Sequence, residues 1–99
     1  MSSDGEAPVD LAHLRRYTGG DAELERQTLT LFVPDALGYV ARIEAGEGKV
    51  PAHTLKGSAQ AIGAWKLAAL AQRAETGEPL GPELRVAIEE VRVFATKAL

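Results

Sequence analysis

Cysteine is absent from the 99-residue chain, which removes disulfides, thiolate metal ligands and cysteine nucleophiles, and with them most redox chemistry. Aromatic residues are sparse, at 5%, and histidine occurs only twice, so any imidazole chemistry rests on His13 or His53. Basic charge is not in excess. Eleven Lys and Arg stand against fourteen Asp and Glu, a net charge of -3, and such a chain has no general attraction for nucleic-acid phosphates. Long hydrophobic runs are missing too. Each apolar stretch is broken by Lys, Arg, Gly or Pro within a turn or two, well short of the ~20 residues that span a bilayer, and no membrane segment is expected. The opening residues, Met1 to Pro8, are polar and lack the basic-then-apolar order of a secretory signal. The protein is therefore expected to stay in the cytoplasm.

What is present is a globular balance, 45% hydrophobic and 25% charged, in a chain long enough for one core and too short for two. Residues 1–7 are small and polar and are expected to form a flexible tail. The domain is placed at residues 8–99. Val9, Leu11, Leu14 and Tyr17 suit a short amphipathic helix that Gly19-Gly20 ends. Asp21 can cap a second helix, with Glu23 and Glu25 at its positive end. Leu29, Phe32, Val33, Ala36, Leu37, Val40 and Ile43 continue it at helical spacing to Ala45. Pro34 removes a backbone donor inside that run, so a kink or break is expected between Thr30 and Pro34.

Gly46-Glu47-Gly48 turns the chain. A third helix is expected from about Val50–Ala52 to Ile62, with Pro51 in its first turn and Gly63 beyond its end. A fourth covers about Ala64 to Thr76 with a stripe of Leu67, Leu70, Ala71 and Ala74. The breakers of Thr76-Gly-Glu-Pro-Leu-Gly-Pro82 form a loop. A last helix, about Pro82 to Ala98, buries Leu84, Ile88, Val91, Phe94, Ala95 and Ala98. No window shows strand alternation with hairpin turns. The fold class is all-α: an antiparallel four-helix bundle with a short extra N-terminal helix. Such a bundle serves many functions, so function must come from a site.

The third helix carries the distinctive arrangement. At about 100° per residue, Leu55, Ser58, Ala59 and Ile62 share one side, and His53 falls almost opposite Leu55. The outward face reads His53, Lys56, Gly57, Gln60, Ala64. An outward neutral imidazole has a lone pair able to attack phosphorus. Lys56 at i+3 can set an ammonium beside phosphoryl oxygens, Gly57 at i+4 leaves bare backbone for a bulky partner, and Gln60 at i+7 can hydrogen-bond. Each feature alone is ordinary surface decoration. Gly57, however, costs about 1 kcal/mol relative to Ala in a helix, in a chain that uses Ala freely, so packing or access must favour it.

The stretch His53-Thr-Leu-Lys-Gly-Ser-Ala-Gln-Ala-Ile-Gly-Ala64 closely resembles the signature of histidine phosphotransfer (HPt) domains, approximately His-x-Leu-Lys-Gly-Ser-[Ser/Ala]-x-x-x-Gly-Ala. Leu67-x-x-Leu70-x-x-x-x-Glu75 resembles that family's next helix, although Ala74 stands where a Leu often precedes the Glu. Asp10-Leu-x-x-Leu14, Gly20-Asp21, Leu24 and Leu31-Phe32 resemble its opening, so the likeness runs from about Val9 onward. The resemblance implies a monomeric bundle with His53 as phosphoacceptor on a ring nitrogen and Lys56 and Gly57 in support. It makes Gly63 a structural element at the helix junction, and Ser58 a packing or capping residue. It implies a phosphocarrier rather than an enzyme, with no cofactor or metal. Its partners would be a response-regulator receiver domain and a sensor or hybrid histidine kinase.

Other functions fit less well. A non-catalytic helical module that binds and regulates a kinase or receiver would not need His53 with Lys56 and Gly57. A hydrolase or metal enzyme needs clustered ligands or a base with its orienting partner, whereas His13 and His53 lie on different helices and the His53 helix holds no adjacent carboxylate at ligand spacing. A kinase dimerisation domain would need a nucleotide-binding glycine motif, and none occurs here. Lys49, Lys66 and Arg73 are candidate determinants of partner specificity around His53.

Overall fold

A computed structural model of the chain describes residues 7–98. All but Ala7 of the expected tail lies outside the described residues. Five helices follow in order: α1 Leu11–Thr18, α2 Ala22–Glu44, α3 Lys49–Ala61, α4 Trp65–Glu75 and α5 Gly81–Ala98. No strand occurs among the described residues. The first two helices begin on aspartates whose side chains satisfy otherwise orphaned backbone donors. Asp10 accepts from the His13 amide at 3.2 Å, and Asp21 from the Leu24 amide at 3.1 Å. Gly19 ends α1 in the left-handed region at φ 67°, donating its amide to the Arg15 carbonyl.

The expected kink or break in α2 is not a break: the helix runs without interruption past Pro34. Pro34 and Thr30, the carbonyl its missing N–H would have served, both lie on the exposed side, where the freed acceptor is open to solvent.

Leu29, Phe32, Ala36 and Val40 of α2 meet Leu55 and Ala59 of α3, Leu67 and Ala71 of α4, and Leu84, Ile88, Val91 and Ala95 of α5 in one core. Each fully buried Leu contributes about 1.5–3 kcal/mol. α2 packs on α3 and α5, α4 packs on α3 and α5, and α1 packs on α2. The first contact of α1 is tightened by Glu25, whose fully buried carboxylate takes hydrogen bonds from Arg15 Nε at 3.2 Å and Thr18 Oγ1 at 2.9 Å.

Three residues depart from the expected faces. Tyr17, expected with the apolar residues of α1, is 70% exposed. Ala98 is exposed, because it is the final residue of α5 and the packed part of that helix ends at Ala95. Ala64, expected on the outward face with His53, is fully buried. Helical projection does not reach it, since α3 stops at Ala61 and Gly63 turns the chain at φ 78°.

Candidate functional site

The turn at Gly63 folds α4 back along α3. The Ala64 amide donates to the Ala59 carbonyl at 2.9 Å, and the Asp10 amide donates to the Gly63 carbonyl at 2.9 Å. A Cβ at position 63 would stand 2.9 Å from the Asp10 carbonyl oxygen, so close approach and positive φ both demand glycine there. The same junction is braced by Trp65, whose Nε1 donates to Asp10 Oδ2 at 3.0 Å. That bond is the main cause of an Asp10 carboxyl held below its usual range, with the His13 amide adding to it. Trp65 also lies edge-on to His13, with ring centroids 4.8 Å apart. His13 therefore belongs to the α1–α4 contact and not to the surface around His53.

Folding α4 back brings its last residue, Glu75, level with the first turns of α3. Glu75 Oε2 lies 3.0 Å from His53 Nδ1, and Glu75 Oε1 lies 3.5 Å from Lys56 Nζ. Burial alone would raise the Glu75 carboxyl, but the His53 hydrogen bond and the Lys56 ammonium outweigh it and hold the carboxyl below its ordinary value. An ionised carboxylate only accepts hydrogen bonds, so Nδ1 carries the proton in this contact and the lone pair of neutral His53 resides on Nε2. The His53 side chain is 67% exposed, against 24% for Glu75 and 23% for Lys56. One edge of the ring is thus anchored while most of the ring faces solvent.

The other expected site residues are placed as follows. Gly57 is exposed, and a Cβ built on it would meet nothing within 4 Å, so packing does not require the glycine. Gln60 is exposed on the same helix, but seven residues of helical rise put it about 10 Å along the axis from His53. It is available to a partner and not to a group carried on the imidazole. Lys56 is near His53 yet turned to Glu75. Ser58 is half-buried.

Sequence reasoning missed Glu75 as a site residue because it sought a carboxylate on the His53 helix. A signal was present: His53 and Glu75 each lie eleven residues from Ala64, and in a helical hairpin turning at that point such residues stand at one height.

Comparison with known proteins gives a family match. The family model described as Hpt domain matches residues 22–94, a span from the start of α2 to near the end of α5. No curated protein and no solved structure matches the chain.

Proposed function

The chain belongs to the Hpt domain family, the phosphocarriers of two-component phosphorelays that interact with receiver domains and histidine kinases, and from that premise we propose that its phosphoacceptor is His53. The contact between His53 Nδ1 and Glu75 Oε2 at 3.0 Å carries this reading, because it leaves Nε2 as the nucleophilic nitrogen on a ring open to a partner. As a phospho-aspartyl receiver approaches, the Nε2 lone pair forms the new N–P bond. The aspartyl P–O bond breaks, and its electron pair returns to the aspartate carboxylate. The imidazole gains positive charge, which the Glu75 carboxylate stabilises through the Nδ1 proton. Onward transfer to a response-regulator receiver reverses these steps.

In this reading Lys56 keeps Glu75 ionised, Gly57 leaves room for the receiver beside the ring, and Gln60 touches the receiver further along α3. Helices α2 to α5 form the antiparallel four-helix bundle and α1 is the added helix, a topology supported by the short connections and the helix pairs in contact. Residues 8–99 are read as one monomeric domain. The cytoplasm suits such a carrier, and none of the described helices is long and apolar enough to cross a membrane.

Incubation with a phosphorylated receiver domain tests the proposal. Wild type should acquire an acid-labile, base-stable label, and a folded His53→Gln variant none. A label retained by that variant would move the acceptor elsewhere.

A further inference from the structure

Lys56 was the cation expected to meet the phosphoryl oxygens, but the structure engages it with Glu75 at 3.5 Å and leaves its side chain only 23% exposed. Three other acidic residues near this end of the bundle are paired with other cations. Glu44 pairs with Arg85 at 2.6 Å, Glu47 with Arg42 at 2.8 Å and Glu78 with Arg73 at 2.8 Å. Lys66 is likewise engaged, by Glu90 at 3.2 Å. Lys49 is different. It is exposed and has no ion pair among the described residues.

Its position is specific. Lys49 is the first residue of α3 and lies four residues before His53, so the two share a face with Cβ atoms about 5–6 Å apart. Lys49 and Glu75 also line one open groove of about 580 Å³ between the α2–α3 and α4–α5 connections, so the lysine shares a groove with the carboxylate that anchors the imidazole. A cation there is disfavoured by the helix dipole, and the first turn of α3 contains no acid to offset it. A dianionic phosphoryl group on His53 reverses that balance.

Resting on the assignment of His53 as phosphoacceptor, we propose that Lys49 is a catalytic residue of the transfer, its ammonium contacting the phosphoryl oxygens on His53 while Lys56 serves Glu75. The lysine takes no part in bond making. It neutralises oxygen charge as the N–P bond forms and the donor's bond to phosphorus breaks.

Phosphoramidate, a small donor with no docking surface, isolates this role. Its P–N bond breaks as His53 Nε2 bonds to phosphorus, and the departing pair leaves on ammonia. The Lys49→Gln variant should be labelled about tenfold more slowly than wild type, the effect of one charge-assisted contact open to water. Lys49→Arg keeps the charge and should stay near the wild-type rate, and the phosphorus resonance of phosphorylated His53 should shift in Lys49→Gln. Thermal melts establish that both variants are folded. Labelling of Lys49→Gln at the wild-type rate, or equal slowing in Lys49→Arg, overturns the proposal. A slower reaction confined to transfer from a receiver also overturns it, since that marks a docking contact. Failure of the underlying assignment looks different: wild type takes no label, or His53→Gln takes it equally.

Discussion

Glu75 Oε2 and His53 Nδ1 face each other at 3.0 Å across the α3–α4 hairpin, and with Glu75 ionised that contact favours the imidazole proton on Nδ1. Replacing Glu75 by Ala frees the ring to rotate and to exchange tautomers, and leaves imidazolium charge without its acceptor. Single-turnover transfer from a phosphorylated receiver should slow by roughly ten- to a hundredfold, corresponding to about 1.5–3 kcal/mol for a hydrogen bond to a charged group. An unchanged rate would show that the receiver alone orients the imidazole.

Lys56 holds the Glu75 carboxyl down together with the His53 hydrogen bond, against burial that would raise it. In Lys56→Gln the Glu75 pKa should therefore move upward, as followed by the carboxyl carbon shift in an NMR titration. The sign for stability follows from linkage. A carboxyl depressed in the folded state stabilises the protein above its ordinary value, and that stabilisation is lost as pH falls through the folded value. Wild type should consequently lose more stability than Lys56→Gln on acidification through that range, measured by denaturant unfolding. Parallel pH profiles would show that Lys56 does not act on Glu75.

At Gly57 the backbone is helical and a Cβ meets nothing within 4 Å. Gly57→Ala should leave stability unchanged or raise it by up to ~1 kcal/mol in denaturant unfolding. Gly57→Leu should remain folded yet slow transfer from a receiver, because the side chain stands where the receiver approaches. Normal receiver transfer in Gly57→Leu would remove the argument for access.

Gly63 should behave in the opposite way. Its φ of 78° and the 2.9 Å approach of a Cβ to the Asp10 carbonyl make Gly63→Ala costly, by about 1–3 kcal/mol. A fall in the thermal midpoint is expected, together with loss of the Trp65 and Asp10 contact in tryptophan fluorescence. A midpoint equal to that of wild type would show that the junction relaxes without strain.

The five helices were legible because their signals are local: Asp21 as a cap, glycines at the turns, and apolar residues at helical spacing between them. Projection around a helix axis also placed His53 outward and Leu55 inward. The same projection failed at Ala64, where the helix had already ended and angle no longer tracks direction. It also gave no account of Glu25, whose burial depends on Arg15 and Thr18 arriving from α1. Glu75 was legible as the end of a helix but not as a partner of His53. A contact between helices depends on where the hairpin turns, and that height relationship is not periodic within either helix. Lys56 shows the complementary gap, since spacing placed the ammonium near His53 but could not reveal the carboxylate to which it turns.

The identity of the phosphorylated nitrogen tests the central claim most directly. Protein labelled with ¹⁵N and phosphorylated by a receiver can be examined for coupling between phosphorus and each imidazole nitrogen of His53. Coupling to Nε2, with Nδ1 still protonated against Glu75, is the expected result. Phosphorus on Nδ1, or on any residue other than His53, would contradict the account.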